Sequence, residues 1–591
     1  MDTIVEKFKG GAFLIKDYYF GDDYIPEKMN EDQKMIRDMV REFVEKEVWT
    51  RGHILDQQPS LMDEAGELGL VGAHIPAKYG GQELDTILNT IIGEEIGRGD
   101  ASFCTTFAAN TGIGMLPILY YGTEEQKQKY LPDLSSGKLK ASYCLTEPSS
   151  GSDALGAKTK AILNAEGTQY ILNGQKMWIS NAGFADVFIV FAQVDGDKFT
   201  GFIVDKGTPG MVLGEEEHKL GIKGSSTRQI FFENAPVPVA NVLGEIGKGH
   251  LIAFNVLNMG RFKLGVLVGG GCKIVTTRAV KYALEREQFK TPIANFGAIQ
   301  HKIAEMAIKA YVLESTNYRI ADLIEDWKSS AIEEGLPYQQ ALLDAAEEYA
   351  IECAISKIYG SECIDYAVDE LVQIHGGFGF SEEYIPARLF RDNRINRIYE
   401  GTNEINRLLL VNMLLRRVMK GELDMVGPAW AVQKELAGMP KMETFEGPYP
   451  TESKALSHFK KILLIVAGAG AKYQMDGKVD LKNEQEILMN IADIMVDVFN
   501  AESVLARLIE VQKMNDPKLA EKEAILKVFF HDAQDRIAKN SVDALASFAS
   551  GDELKVMLMG IKRFTKLEPI NVKEYRKKIA AKIIAEEQYA F

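Results

Sequence analysis

One carboxylate beside a glycine is the first residue of this sequence that could do chemistry. Glu400 lies in the segment RINRIYEGTNEINR, before a run whose apolar residues recur at helical spacing. Thr402 or Asn403 can cap that helix, whose free N–H groups and positive dipole end would then lie beside the carboxylate and beside any carbonyl or anionic ligand. A carboxylate in such a place can act as a general base. The same residues also fit a solvated loop glutamate next to an ordinary N-cap.

Two segments earlier in the chain could hold a flat, polar ligand. Residues 141–153, ASYCLTEPSSGSD, read as a strand that runs into a turn with several hydroxyls and free N–H groups, which suits a ring edge or a pyrophosphate. The segment KMWIS places Trp178 and Ser180 on a strand, where an indole and a hydroxyl could flank a planar cofactor. An ordinary turn and a core tryptophan are the alternatives.

The hydrophobic periodicity predicts a mainly α protein with a central β domain of sandwich or barrel type. Helical spacing in the first domain gives way to short alternating runs rich in Tyr, Phe, Ile and Val, and long helical segments typical of a four-helix bundle follow. The predicted parts are an N-terminal extension, a helical domain, the β domain, the helical bundle, a Gly- and Pro-containing linker and a helical extension, at residues 1–29, 30–140, 141–246, 247–424, 425–450 and 451–591.

Composition narrows the function class. The 591 residues are 46% hydrophobic and 26% charged, as in a soluble globular protein with several cores. A net charge of −16 disfavours nucleic acid or an anionic membrane as the main partner. Five scattered cysteines fit a reducing compartment, and eight histidines without an HExxH motif give no support to a metal site. No signal peptide, transit peptide or transmembrane helix is expected.

Five motifs in a fixed order make the sequence similar to a known family. The segments CLTEPSSGSD, KMWIS, EREQFKTPI, QIHGGFGF and RIYEGTNEI, spread over about residues 30 to 420, resemble the flavin-dependent acyl-CoA dehydrogenases. The C-terminal extension most resembles the very-long-chain branch and its bacterial relatives. The resemblance implies FAD as cofactor and a cytoplasmic bacterial enzyme, with peripheral membrane association left open.

The resemblance also assigns residues to the cofactor. It implies that one set of residues lies along the flavin and its pyrophosphate, namely Tyr143, Leu145, Thr146, Gly151, Ser152, Trp178, Ile179 and Ser180. A second set would hold the FAD of the neighbouring subunit, and these residues are Arg286, Gln288, Phe289, Gln373, Gly376 and Gly377. A third set would contact the cofactor from the other side, namely Thr402, Asn403 and Glu404. A homodimer or higher homo-oligomer is therefore expected.

For the substrate, the resemblance implies α,β-dehydrogenation of an acyl-CoA in β-oxidation. Glu400 would take the α proton, FAD would take the β hydride, and electrons would pass to an electron-transferring flavoprotein. Some branches place the base at the position of Gly260, where a glycine cannot serve. The predicted substrate contacts are Ser152, Asn258, Arg261, Tyr399 and Gly401. An acyl-CoA oxidase that uses oxygen, or a non-catalytic acyl-CoA-binding relative, are the alternatives.

Chain length is expected to follow from small residues in the helix around Thr105 to Ile113. By resemblance this helix lines the deep end of the acyl pocket, where Thr105, Ala108 and Ala109 leave space. Each buried methylene contributes about 0.8 kcal/mol, so a deep pocket favours long chains, with an expected optimum at about C14 to C16.

Overall fold

The computed structural model describes residues 8–16, 23–438 and 444–591. These residues form a helical domain, a β domain, a helical bundle and a further helical block, which confirms the predicted fold class. The predicted N-terminal extension and linker fall partly outside the described residues. The stretch predicted as a linker contains the helix Val426–Ala437, because its glycine and proline stand in the first turn, where proline fits a helix.

The N-terminal domain packs around one apolar core. The helix predicted around Thr105 to Ile113 begins at Ala101, changes to a π-helical segment at Ala109–Gly114, and restarts at Leu116 with Pro117 in its first turn. The α-helices of this domain are Glu31–Phe43, Trp49–Arg51, Gln58–Glu67, Thr86–Gly97, Ala101–Ala108, Leu116–Tyr121 and Glu124–Ser135, and Val44–Val48 is also π-helical.

The middle domain is one eight-stranded sheet. Strand Val187–Val194 is buried on both faces, with Phe191 in the core of the helical domain and Phe188 in the core of the β domain, which explains its uninterrupted apolar run. It pairs in parallel with the strands Ala141–Cys144 and Lys160–Leu163 and antiparallel with Lys198–Asp205, so the sheet is mixed. The strands are Ala141–Cys144, Lys160–Leu163, Gln169–Ser180, Val187–Val194, Lys198–Asp205, Met211–Glu216, Thr227–Pro238 and Val242–Leu243.

The bundle is built on the helix Gly249–Glu285, called here the central helix. Among the described residues this helix alone is long and apolar enough to cross a membrane, and 61% of its most apolar window is buried inside the protein. It packs lengthwise against Ala350–His375. The other helices are Gly297–Glu333, Tyr338–Glu348, Gly377–Phe380, Ile385–Asn393 and Asn403–Met419, and the short strands Glu287–Gln288 and Thr291–Pro292 form a hairpin.

The C-terminal block is joined to the bundle by buried ion pairs. Arg507 donates to Glu314 at 2.8 Å between Nη1 and Oε2, and Arg319 donates to Glu502 at 2.7 Å between Nη2 and Oε2. Apolar residues of both parts share one core. The helices of this block are Val426–Ala437, Pro450–Met475, Gln485–Lys513, Leu519–Phe548, Gly551–Phe564 and Val572–Glu586. The block is therefore part of the folded body and supports the bundle from outside.

The Glu502 carboxylate gives a direct test of this joint. It is fully buried and also accepts a hydrogen bond from Lys460 at 2.5 Å, so removing it takes away the carboxylate that two buried cations share. Glu502→Ala should lower the free energy of unfolding by about 3 to 5 kcal/mol, measured by urea denaturation. Glu553→Ala removes an exposed partner of Lys472 in the same block and should have a much smaller effect. Equal losses of unfolding free energy in the two variants would show that Glu502 does not join the C-terminal block to the bundle.

Candidate functional site

Glu400 lies in a strained turn between two helical segments. The 3₁₀-helical turn Arg394–Arg397 precedes it, and helix Asn403–Met419 follows with Thr402 as its N-cap, which confirms one of the two predicted caps. Glu400 has φ of 57° and Gly401 has φ of 80°. A left-handed conformation is uncommon for a non-glycine residue and costs about 1 to 3 kcal/mol, so neighbouring contacts must hold it.

Three side chains supply those contacts. Arg261 Nε donates to the Glu400 carbonyl at 3.3 Å, and Asn406 Nδ2 donates to the same carbonyl at 3.3 Å and to that of Gly401 at 2.8 Å. Lys357 Nζ donates to the Gly401 carbonyl and to Asn403 Oδ1, both at 2.7 Å. Two of these donors come from the central helix and from Ala350–His375, so the bundle fixes the backbone of the carboxylate.

Burial and two cations set the charge of Glu400. Burial raises the pKa of its carboxyl group to about 7, and the charges of Arg261 and Lys357 oppose that rise. Burial likewise lowers the pKa of Lys357 to about 7, against the attraction of Glu400. Within the described chain, Glu400 Oε2 is buried and has no hydrogen-bond partner. Near neutral pH this carboxylate can therefore take or release a proton.

A largely apolar pocket, called here the proximal pocket, contains the Glu400 carboxylate. The space along its lining that no atom occupies amounts to about 960 Å³, part of it open to solvent. Gly260 lies on its wall, and a Cβ atom there would come within 2.9 Å of Glu400 Oε2, so a larger residue would displace the carboxylate from this position. The structure brings predicted residues together here with small residues of the N-terminal domain, and the lining includes Thr105, Ala108, Ala109, Gly112, Ser180, Tyr399 and Glu400.

The β domain contributes the residues predicted to lie along a flat ring. Tyr143 is buried, its Oη has no partner in the described residues, and burial, followed by the charge of Glu400, raises its pKa. Trp178 is 54% exposed with φ of 60°, at a break in the pairing of strand Gln169–Ser180, so it is not a core tryptophan. The side chain of Ile179 is buried inside the β domain, and Leu145 is buried as well.

A buried ion pair stabilises the loop after strand Ala141–Cys144. Lys176 Nζ donates to Glu147 Oε1 at 2.7 Å and to the Leu145 carbonyl at 3.3 Å, and both charged side chains are buried. Thr146 O accepts from the Met177 N–H at 2.9 Å. The predicted ligand residues Gly151 and Ser152 follow in the exposed part of this loop, and a Cβ at Gly151 would meet no atom within 4 Å.

The residues predicted to serve a neighbouring subunit form a separate groove. Arg286, Gln288, Gly376 and Gly377 line it together, and it shares no lining residue with the proximal pocket. Phe289 is 90% exposed beside it, and Gln373 is exposed before the glycine pair. Cβ atoms at the two glycines would meet nothing, so the groove is open to a ligand.

Several residues predicted to contact the substrate or the cofactor form hydrogen bonds with other side chains of the protein. Asn258 and Arg261, predicted to contact the CoA end, are buried, and Arg261 Nη1 donates to Asn258 Oδ1 at 2.9 Å. They support the Glu400 turn from within the bundle, and their contact with CoA stays a prediction. Asn403 donates to Ser361 and Glu362, both at 3.0 Å, so its side chain points into the bundle, whereas Glu404 is exposed.

Sequence reasoning missed two residues that hold the turn. Lys357 lies in the apolar run AISKIYG, and a single lysine among apolar residues is the one feature of the sequence that could have indicated a buried functional cation. Asn406 is fully buried one helical turn after Thr402 and looks like a surface residue in the sequence. Their acceptors are backbone carbonyls of a turn, which no residue pattern reveals.

Family profiles match four parts of the chain. Profiles described as acyl-CoA dehydrogenase N-terminal, middle and C-terminal domains match residues 30–138, 142–235 and 247–415, and a further C-terminal domain profile matches 458–563. Together these matches span most of the chain, including the helical extension.

Individual relatives agree with these profiles. A probable acyl-CoA dehydrogenase of Bacillus subtilis is 45% identical over 98% of this chain and 98% of its own. The mitochondrial very long-chain specific acyl-CoA dehydrogenase of Bos taurus is 33% identical over 94% of this chain and 86% of its own. The crystal structure of an acyl-CoA dehydrogenase complexed with FAD from Bacillus anthracis, 46% identical, aligns with a TM-score of 0.95 over 99% of this chain and all of that one.

Lys357 allows the electrostatics of the site to be tested without a ligand. Lys357→Met removes a cation that favours the charged form of Glu400, so the pKa of Glu400 should rise above about 7. Infrared spectra of ¹³C-glutamate-labelled protein, minus those of Glu400→Gln, report that titration. Lys420→Met, just beyond the far end of helix Asn403–Met419, should leave it unchanged. If the pKa of Glu400 is unchanged or lower in Lys357→Met, Lys357 does not stabilise the charged form of Glu400.

Proposed function

The chain belongs to the acyl-CoA dehydrogenase family, and from this premise we propose that it converts a fatty acyl-CoA to the trans-2-enoyl-CoA in β-oxidation. The observation that carries the proposal is the buried Glu400 carboxylate, with a pKa of about 7 and an unpartnered oxygen, on the wall of an apolar pocket. A base for an α proton needs a pKa near the working pH and a site that excludes water.

The proposed role of Glu400 follows from its two accessible groups. Its Oε2 takes the α proton of the thioester, because no donor among the described residues occupies that oxygen. Its backbone N–H makes no hydrogen bond within the described part of the chain and can donate to the thioester carbonyl, where negative charge develops. Arg261 and Lys357 keep the turn in place and limit the rise of the carboxyl pKa.

The residues around this pocket fit FAD, which we assign as the cofactor. When bound, FAD supplies the acceptor for the β hydride. Tyr143 Oη is buried and unpartnered, Trp178 projects from the β domain, and Ser180 lines the pocket with Glu400. Ser152 and Gly151 lie in the open loop beyond, where hydroxyl and N–H groups suit a pyrophosphate.

We propose a homodimer in which each FAD is held by two chains. The groove of Arg286, Gln288, Gly376 and Gly377 lies apart from the proximal pocket, and its arginine and open glycine backbone suit a pyrophosphate. Phe289 and Phe380, 90% and 85% exposed, flank this region and offer apolar surface to a partner.

An electron-transferring flavoprotein is the acceptor that we propose, as expected from the resemblance. The cytoplasm is the proposed compartment, because all five cysteines are buried free thiols. Steady-state assays with such a flavoprotein and with oxygen separate a dehydrogenase from an oxidase. If turnover is faster with oxygen than with the flavoprotein, the enzyme is an acyl-CoA oxidase and this part of the proposal is wrong.

Glu400→Gln tests the base. The amide keeps the size of the side chain but cannot take the proton, so kcat should fall by about three orders of magnitude or more while FAD and acyl-CoA still bind. Stopped-flow bleaching of the flavin absorbance measures the rate, and the absorbance before mixing reports FAD content. Activity within tenfold of wild type would place the base elsewhere.

Ala109→Glu tests the assignment of a long acyl chain. Ala108, Ala109 and Gly112 line the proximal pocket and are small, so they leave room for methylene groups. In the wild type, kcat/KM should rise from C8 to about C14 or C16. The glutamate fills the pocket and buries a carboxylate, which should move the optimum to shorter chains. A wild-type optimum at C4 to C6, or an unmoved optimum in the variant, would contradict the long-chain assignment.

A further inference from the structure

A second cavity adjoins the proximal pocket. We call it the distal cavity, and the space along its lining that no atom occupies amounts to about 970 Å³, part of it open to solvent. Ala108, Lys263 and Leu267 line both spaces, so these residues form the boundary between them. Most of the distal lining is apolar, as a hydrocarbon chain requires. Lys263 is the charged residue at the boundary.

Lys263 is held without a counterion. It lies three residues, about 4.5 Å of helix rise, after Gly260 on the central helix. Its Nζ donates to the Thr111 carbonyl at 3.0 Å, in the π-helical segment Ala109–Gly114, and its stem passes over Gly112. No ion pair to Lys263 exists among the described residues. An ammonium group has three protons to donate, so donors remain for a ligand.

His74 adds a second polar group without a partner. It lines the distal cavity, its Nε2 is buried, and no described atom forms a hydrogen bond with that nitrogen. Burial and then the charge of Lys263 lower its pKa well below the ordinary value. A buried nitrogen without a hydrogen bond destabilises the protein, and a polar ligand group would remove that cost.

The charges around the distal cavity are all of one sign. No aspartate or glutamate of the described chain lines it, and its other lysine, Lys328, already donates to Glu325 at 2.7 Å. Burial lowers the pKa of Lys263 to about 7, as expected for a cation that lacks a nearby anion. A carboxylate from outside the protein would supply that anion and form a charge-assisted hydrogen bond.

We propose that Lys263, with His74, binds a carboxylate at the far end of the acyl chain, so that the substrates include mono-CoA thioesters of dicarboxylic acids. This inference rests on the proposed function and specifies its substrate class. The thioester lies at Glu400 in the proximal pocket, the methylenes follow the apolar walls, and the ω-carboxylate meets Lys263 where the two cavities join. Lys263 is then a specificity-determining residue.

Chain-matched substrates test the inference. We compare kcat/KM for decanoyl-, dodecanoyl- and hexadecanoyl-CoA with their ω-carboxy counterparts, in wild type and in Lys263→Met, which keeps a similar length without the charge. At the best-fitting length the ratio of ω-carboxy to unsubstituted substrate should fall about tenfold or more in the variant, as loss of a charged hydrogen bond implies. Lys160→Met, an exposed strand residue, is the control and should keep the wild-type ratio.

Binding is measured in parallel by calorimetry on the Glu400→Gln holoenzyme, with and without Lys263→Met. Tighter binding of the ω-carboxy thioester that depends on Lys263 supports the inference. A wild type that disfavours every ω-carboxy substrate more than tenfold, or a ratio that Lys263→Met leaves within twofold, overturns it while the proposed function stands. If neither substrate class is turned over, the proposed function fails, and the calorimetry still decides whether Lys263 binds a carboxylate.

Discussion

The structure of the site depends on the burial of the Glu400 carboxylate, which forms no direct ion pair among the described residues. Desolvation disfavours the charged form of Glu400, and the positive charges of Arg261 and Lys357 offset part of this effect. The positive φ of Glu400 adds strain. A folded chain keeps such a residue only if the surrounding bundle fixes it, and Arg261, Lys357 and Asn406 do so through carbonyl groups of the turn.

Each domain contributes one surface to the space in front of that carboxylate. The central helix approaches it with Gly260, the N-terminal domain contributes small residues beside its π-helical segment, and the β domain ends there at Ser180. The C-terminal block stands behind the bundle, where Arg507 pairs with Glu314 and Glu502 with Arg319. Buried pairs of this kind favour one register of long helices, which keeps the turn aligned with the pocket.

The sequence predicted the domain order, the fold class and the hinge at Glu400, because periodicity and glycine breaks are local signals. It could not predict that Lys357 and Asn406 donate to the turn, since their acceptors are backbone carbonyls, which no residue pattern marks, and the acceptor of Lys357 lies 44 residues away. The motif also did not reveal that Asn258 and Arg261 are buried and that Arg261 donates to Asn258, because a motif gives a residue's position in the chain and not the direction of its side chain. The kink of the helix near Ala109 was also missed, since π-helical geometry has no simple residue pattern.

The central claim is that Glu400, with a pKa of about 7, is the group that removes the α proton. The most direct measurement is the pH dependence of α-proton exchange from a bound, non-oxidisable 3-thia-acyl-CoA in D₂O, followed by mass spectrometry. The base works only when ionised. The exchange rate should therefore fall tenfold per pH unit below about 7 and level off above it. A rate that is constant from pH 5 to 9, or one that falls as the pH rises through 7, would contradict the account.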